Sequence, residues 1–563
     1  MMRTAAMLAG ALAMALSPGA VDARELGAAD LDRAVAAEWR QRHLKPGPVT
    51  DDAAFLRRLT IDLTGTLPSA DAVREFLADA RKDKRARAVD VLLGSPAYAQ
   101  HWAGYWDKLL MGRTAKANPI LDRPGFVAWL RTQVAANRPW NQVVYDLITA
   151  TGESHDQPAT NWILRYAANP TDLTGKMSRL FLGVQIQCAQ CHDHPSEKWK
   201  QDDFRALTAA FARTGAVPLE DKVKGQRRRV ELRDQPGPTF GGPKSADLRL
   251  IALTAPRALD GTDLAHADNR RVALAEWLTR PANPYFARAL VNRYWAHLVG
   301  RGFVEPVDDF RRSNPPVMPA LLESLAADFT AHQFDIQRLI RLIVNTRVYQ
   351  LAVVGGAEGD VDEQLFVHHR MRPLTSEELY SALASATNLE NGLLLAGLAN
   401  LDALKQQLQG AFEFLFSVDE EGPPPADFAG SIQQALLFLN GKLVSRAAAA
   451  VPGMALSGIL DFPAGDEARV EALYLRTLSR PPTAAERTRW VAYVNAPRDV
   501  VVESKKRQLA KLPRESRSPK KNPLGALERA ARKLDPSEPT ATQQAYEDLF
   551  WALLNSSEFT FQH

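Results

Sequence analysis

The sequence predicts a mainly α protein: two helical domains joined by a small β-containing insert. Three observations carry that reading. Helix-start grammar recurs along the chain: Ser95-Pro96 sets an N-cap before a proline at the first helical position. Thr375 with Glu378, and Thr483 with Glu486, spell capping boxes. Apolar residues recur at helical spacing, as in Leu173, Met177, Leu180, Phe181 and Val184, which predicts a helix over 171–187 leading into the motif that follows. From 216 to 262 the texture changes to alternation broken by glycine and proline, which reads as short strands and turns.

Taken in order, residues 1–23 have the layout of a secretory signal peptide. Arg3 is followed by an apolar run from Ala5 to Leu16, then Pro18 and mostly small residues up to Ala23, with cleavage expected before Arg24. The run is too short to span a bilayer, and no later uncharged stretch is long enough. The expectation is an exported protein, periplasmic or at the cell surface, with no transmembrane segment in the mature chain. Residues 24–215 are then the first helical domain, 216–262 the insert and 263–563 the second helical domain. A chain of 563 residues, 46% hydrophobic, buries sizeable cores and is not globally disordered. The net charge of +4 is unchanged on removing residues 1–23, because Arg3 and Asp22 cancel; it gives no sign of nucleic acid as a partner. One segment is strongly basic: 505–533 holds eleven Lys or Arg against two Glu, a net +9. It reads as a solvated insertion or, less plainly, as a docking surface for an anionic partner.

Some words recur. Leu59 to Phe76 and Leu473 to Trp490 each read as helix, proline turn and capped helix. The helix ends at Leu92–Tyr98, Ile343–Tyr349 and Leu553–Phe559 each place an aromatic after a small or polar break, as though docking back on the core. Ancestral duplication and convergence explain this equally well. Tryptophans crowd the middle of the first domain (Trp102, Trp106, Trp129, Trp140, Trp162, then Trp199). Core packing is the plainer account; the lining of a dry crevice and exposed rings for sugar binding are the sharper ones.

The stretch "QIQCAQCHDHPSEKW", Gln185 to Trp199, holds Cys188 and Cys191, the only two cysteines, followed by His192 and His194. Cys-x-x-Cys-His is the attachment pattern of c-type haem. On a helical turn, residues three and four apart share a face. Cys188 and Cys191 then meet the two vinyl groups, and His192 offers an imidazole to the iron. Three other readings compete. Cys188, Cys191, His192 and His194 together would make a cramped four-ligand zinc or iron site. A redox disulfide would want a βαβ setting, which is missing. Inert thiols would not need the histidine. No serine triad, phosphate loop or zinc-protease motif is present.

Arg179 to Arg213, with Phe55 to Leu77 and Ser95 to Arg113 upstream, resembles the planctomycete-type cytochrome c domain, a domain of otherwise unknown function. Asn283 to Phe310, Arg370 to Leu383, Leu473 to Glu486 and Asp548 to His563 resemble its usual C-terminal companion. The resemblance implies one covalent haem c held by Cys188, Cys191 and His192. It implies no reaction.

The sixth iron ligand is open. Of the methionines beyond residue 23, Met177 would sit on the motif's own helix and so on the wrong face. Met318, in "SNPPVMPALL", is the first candidate: the resemblance implies a histidine there, and both residue types bind haem iron. Its plainer role is a helix-start residue packing on the core. His297 is the second candidate. His194 is expected to orient the loop through hydrogen bonds or to contact a haem propionate, and not to bind the iron. Three functions follow: electron transfer with a redox partner protein or cell-surface component, a haem peroxidase or oxidase with an open axial position, or a surface binding or scaffold protein with a non-haem metal at the motif.

Overall fold

The helix Asp52–Thr64 is the element around which the rest is assembled. Every residue from Phe55 to Leu63 in it is buried, the charged ones included. Phe55, Leu59 and Leu63 enter the larger of two main apolar cores, and Ile61 enters the other. Such a helix is stable only if its polar groups find partners inside. Arg57 donates to the carbonyls of Thr477, Glu558 and Phe559. Arg58 donates to the carbonyls of Tyr349 and Leu351. Asp62 accepts from the Tyr349 hydroxyl at 2.8 Å, Gln562 Nε2 at 2.7 Å and Arg372 at 3.0 Å.

The computed structural model describes residues 25–112, 120–166, 169–195, 197–219, 229–234, 250–251, 253–265, 269–354, 364–395, 442–497 and 540–562. Across these the protein is mainly helical, with two small antiparallel sheets. The larger core takes side chains from Leu31 to Val367, and Leu475, so helices on both sides of the 216–262 segment share it. The second is built mainly from Ser376–Thr387, Asp466–Leu478 and Ala541–Leu554. The expected leader 1–23 and the basic segment 505–533 lie outside the described residues. No helix among the described residues is long and apolar enough to cross a membrane.

The local grammar holds. Ser95 accepts from Tyr98 N ahead of Pro96, and Thr375/Glu378 and Thr483/Glu486 close reciprocal capping boxes. Tyr98, Tyr349 and Phe559, the aromatics after the three similar helix ends, are all buried. The two similar words also share a turn: Gly65 and Ser479 each end their helix in the left-handed region, ahead of helices capped by Ser69 and Thr483. In the insert, β2 (Thr214–Pro218) and β3 (Val230–Asp234) pair with Thr214 opposite Asp234 and Pro218 opposite Val230. A strand the sequence did not flag, β1 (Gly152–Glu153), completes the order β1-β3-β2. The second sheet joins β4 (Arg372–Pro373) to β5 (Phe561–Gln562).

β4 carries the polar centre between the cores. Arg372 bonds both Glu378 oxygens, at 2.8 and 3.0 Å, as well as Asp62. Burial works against the Glu378 charge, but Arg372 and the Thr375 amide hold its pKa down to about 2. Complete burial pushes the Asp62 carboxyl up, against Arg372, Gln562 and Tyr349. Removing one member strands buried charge, so Arg372→Met should cost about 3–5 kcal/mol, read as a lower urea midpoint. His369 lies beside this centre, edge-on to Tyr349, with Nδ1 unpartnered. Burial first, then Arg58 and Arg372, drives its pKa well down. The unfolded chain takes up a proton below about pH 6.5 that the folded imidazole refuses. This contribution is intact above that pH and is lost as the pH falls below it. The stability gap between wild type and His369→Leu should therefore shrink from pH 7.5 to pH 5; a constant gap refutes the assignment.

Candidate functional site

The motif does not ride on a continuous helix, contrary to the spacing-based expectation. The helix Pro170–Met177 passes into a π-helical turn, Ser178–Leu182, and Gly183 ends it in the left-handed region with φ of 67°. A Cβ at Gly183 would come within 2.7 Å of the Phe310 ring, so the position needs glycine twice over. Met177, Leu180, Phe181 and Val184 are core residues, as their periodicity implies. The cysteines lie on a separate short 3-10 turn, Gln187–Gln190, with Cys191 just past its end.

That turn splits by polarity. Ile186 and Ala189 face inward, fully buried, and Trp199 closes the loop from below. Cys188 and Cys191 are exposed free thiols, and His192 is exposed beside them. His192 Nδ1 lies 2.7 Å from the Asp193 carbonyl. A carbonyl accepts only, so Nδ1 carries the proton and Nε2 holds the free lone pair of the neutral ring. That is the tautomer metal ligation requires, with the backbone bond orienting the ring. His194 Nδ1 accepts from the Glu197 amide at 3.1 Å, so this ring shapes the loop, as expected of it. Gln201 ties the turn down by donating to the carbonyls of Gln190 and Cys191.

A second segment grips the motif from outside. Asp308, buried, accepts from Arg179 Nε at 2.7 Å and from Gln185 Nε2 at 2.9 Å. Phe310 N bonds the Gly183 carbonyl. Glu197 accepts from Ser313 Oγ at 3.2 Å and from Arg312 N at 3.4 Å. Burial raises the pKa of neighbouring Asp309, with Asp308 and Glu197 adding to the rise and Arg311 and Asn314 opposing it. Sequence reasoning did not single out these carboxylates. The signal was the run "EPVDDF", whose three carboxylates sit too close in sequence to say which would turn inward.

Met318 follows the same segment but points elsewhere. It precedes the helix Pro319–Ala331 in the left-handed region, φ 48°, and its side chain belongs to the larger core. His297 sits on the helix Phe286–Val299 among aromatic rings, 4.8 Å from Tyr105 and 5.1 Å from Trp102, with Nε2 buried and unpartnered. Burial lowers its pKa to about 3. Thus the turn brings Cys188, Cys191 and His192 together at the surface, while Met318 and His297 are packed inside. The tryptophans before the motif are core: Trp102, Trp106, Trp140 and Trp162 are buried.

The donor set fits a c-type haem at the level of the hook: two unpaired thiols three apart, open to solvent, and an imidazole with Nε2 available. Two shallow clefts, one along Asp335 to Asn345 and one beside Trp39, share no residue with the motif. Among the described residues, no three His, Cys, Asp or Glu side chains converge as a metal cage.

Residues 30–216 match the model of the PSCyt2 family, described as a protein of unknown function (DUF1549). Residues 270–396 match PSD1, also described as a protein of unknown function (DUF1553). The two fall in the order the sequence led us to expect. No curated protein and no solved structure matches the chain. The motif arm lies in the first match and its grip, Asp308 to Ser313, in the second.

Gly183→Ala tests that grip. The added methyl meets both a left-handed backbone and the Phe310 ring, and should cost about 1–3 kcal/mol. Alkylation of Cys188 and Cys191 in the folded, haem-free protein should change in rate. A variant as stable as wild type, with unchanged alkylation, would show that the contact constrains nothing.

Proposed function

We propose that this chain is an exported, single-haem, c-type cytochrome-like protein that exchanges electrons with a partner outside the cytoplasm. One observation carries the reading: the exposed thiols of Cys188 and Cys191 sit beside an imidazole whose Nδ1 is committed to the Asp193 carbonyl. Cys188 and Cys191 would hold the haem through their thiols, and His192 Nε2 would bind its iron. When bound, the haem supplies a one-electron centre. The chain's own part is to hold His192 in one tautomer and keep the turn rigid through Gln201, Gln185 and Asp308. An exposed hook also leaves an edge of the group within reach of a partner. The leader read from the sequence supports export, since this haem is attached outside the cytoplasm.

A second reading, a haem peroxidase or oxidase, is favoured by the burial of both candidate sixth ligands. With Met318 in the core and His297 among aromatic rings, neither would serve an iron held at the motif, and a haem there would have room to bind a substrate. The non-haem site at Cys188, Cys191, His192 and His194 is disfavoured, because His194 Nδ1 spends its lone pair on the Glu197 amide and leaves the ring proton on Nε2.

Expression with the c-haem assembly machinery tests all three. We expect haem that survives denaturation on a gel and a pyridine spectrum of two thioether links. Cys188→Ala should shift that spectrum to one link. A low-spin spectrum with a methionine-to-iron band lost in Met318→Leu supports electron transfer with that ligand; a high-spin, ligand-binding spectrum moves the assignment to the open-site enzyme. Absence of covalent haem, with stoichiometric zinc or iron instead, overturns both haem readings.

A further inference from the structure

His101 and His297 are neighbouring rings on two different helices, tilted at 42° to one another. His101 is on Pro96–Met111 and His297 on Phe286–Val299. Their ring centroids are 6.5 Å apart. Nε2 of each is buried and has no hydrogen-bond partner. An unsatisfied buried nitrogen costs about 1–3 kcal/mol and calls for an explanation. Two such nitrogens on neighbouring rings call for one occupant that serves both.

We propose that His101 and His297 form a two-coordinate site for a monovalent copper ion, Cu(I). The spacing agrees. With metal–nitrogen bonds of about 2 Å, an ion on the line between two imidazoles holds their centroids roughly 6 Å apart. Coordination number selects the metal. Imidazole accepts copper and zinc alike, but a structural zinc ion asks for four ligands. The nearest acidic candidate, Glu378, is already spent on Arg372, at 2.8 and 3.0 Å, and on the Thr375 amide at 2.8 Å. Two neutral nitrogens alone suit a low-coordinate ion of single charge, whose burial is also less costly than that of a dication.

The surroundings agree as well. Trp102 stands edge-on to both rings, and Tyr105 to His297. These aromatic walls keep the rings in place and exclude bulk water. Burial lowers the His101 pKa to about 4, so at neutral pH both rings offer lone pairs rather than charge. Gly65 makes room: a Cβ there would overlap His101 Nδ1. Each histidine keeps partial exposure, which leaves an ion a way in.

The test uses the full mature chain carrying Cys188→Ser and Cys191→Ser, so that the motif's thiols cannot take the copper. Anaerobic titration with Cu(I) against a chromophoric chelator should give one bound equivalent, and X-ray absorption should show two nitrogen neighbours. His101→Leu and His297→Leu should each weaken binding by more than the roughly 100-fold that loss of an outer partner costs. His297→Met, which keeps a Cu(I) ligand, should retain the ion with one sulfur neighbour; it also serves if the leucine variants do not fold. No Cu(I) bound by the parent protein, or binding unaffected by these substitutions, overturns the proposal and leaves water as the occupant of the gap.

Discussion

The structure depends on burying charge at the centre and giving each charged group partners there. The helix Asp52–Thr64 is enclosed by both cores, yet carries two arginines and an aspartate inside. An apolar helix there would be simpler. What the charged one adds is specification: Arg57 reads the carbonyls that end two C-terminal helices, Arg58 reads the turn at Tyr349, and Asp62 reads Arg372 and Gln562. Apolar contacts would tolerate a slipped packing, whereas an arginine aimed at a particular carbonyl does not. The seam between the cores is therefore fixed by polar geometry rather than by shape alone.

The motif arm follows the same logic on a smaller scale. Its cysteines gain nothing from burial, so the turn must be held by what surrounds it. Ile186, Ala189 and Trp199 plug into the core from below. Asp308, Phe310 and Ser313 hold it from a segment more than a hundred residues away in sequence. The segments matched by two separate family models therefore meet at one place, which gives a physical reason for their sharing a chain.

Much of this was legible because it is local. Caps at Ser95, Thr375 and Thr483 are written in four-residue words, and the structure forms each one. The identity of the site residues was legible for the same reason, since Cys188, Cys191 and His192 are contiguous. The helix expected over 171–187 failed at Gly183. There the apolar stripe continues while the backbone turns left-handed, and periodicity records side-chain burial, not dihedral angle. β1 escaped notice because two residues carry no period. The long-range groups were invisible for a different reason. Asp62, Arg372 and Gln562 are each unremarkable in their own neighbourhood, and nothing in a single sequence links residues hundreds of positions apart. His101 and His297 were hidden likewise, each reading as one polar residue on an aromatic-rich helix.

Gln562 closes the shell of Asp62 from 500 residues away, as part of the short strand β5 that lies against β4. Contacts of such separation close late, because the loop between them must be ordered first. The helix Asp52–Thr64 is made early, yet its acid gains this partner only when residue 562 has emerged. Until then the centre holds an incompletely solvated carboxylate, and the seam has no incentive to shut. The seam between the cores is thus shut by a strand 500 residues further along, and β5 acts as the latch on the helix Asp52–Thr64.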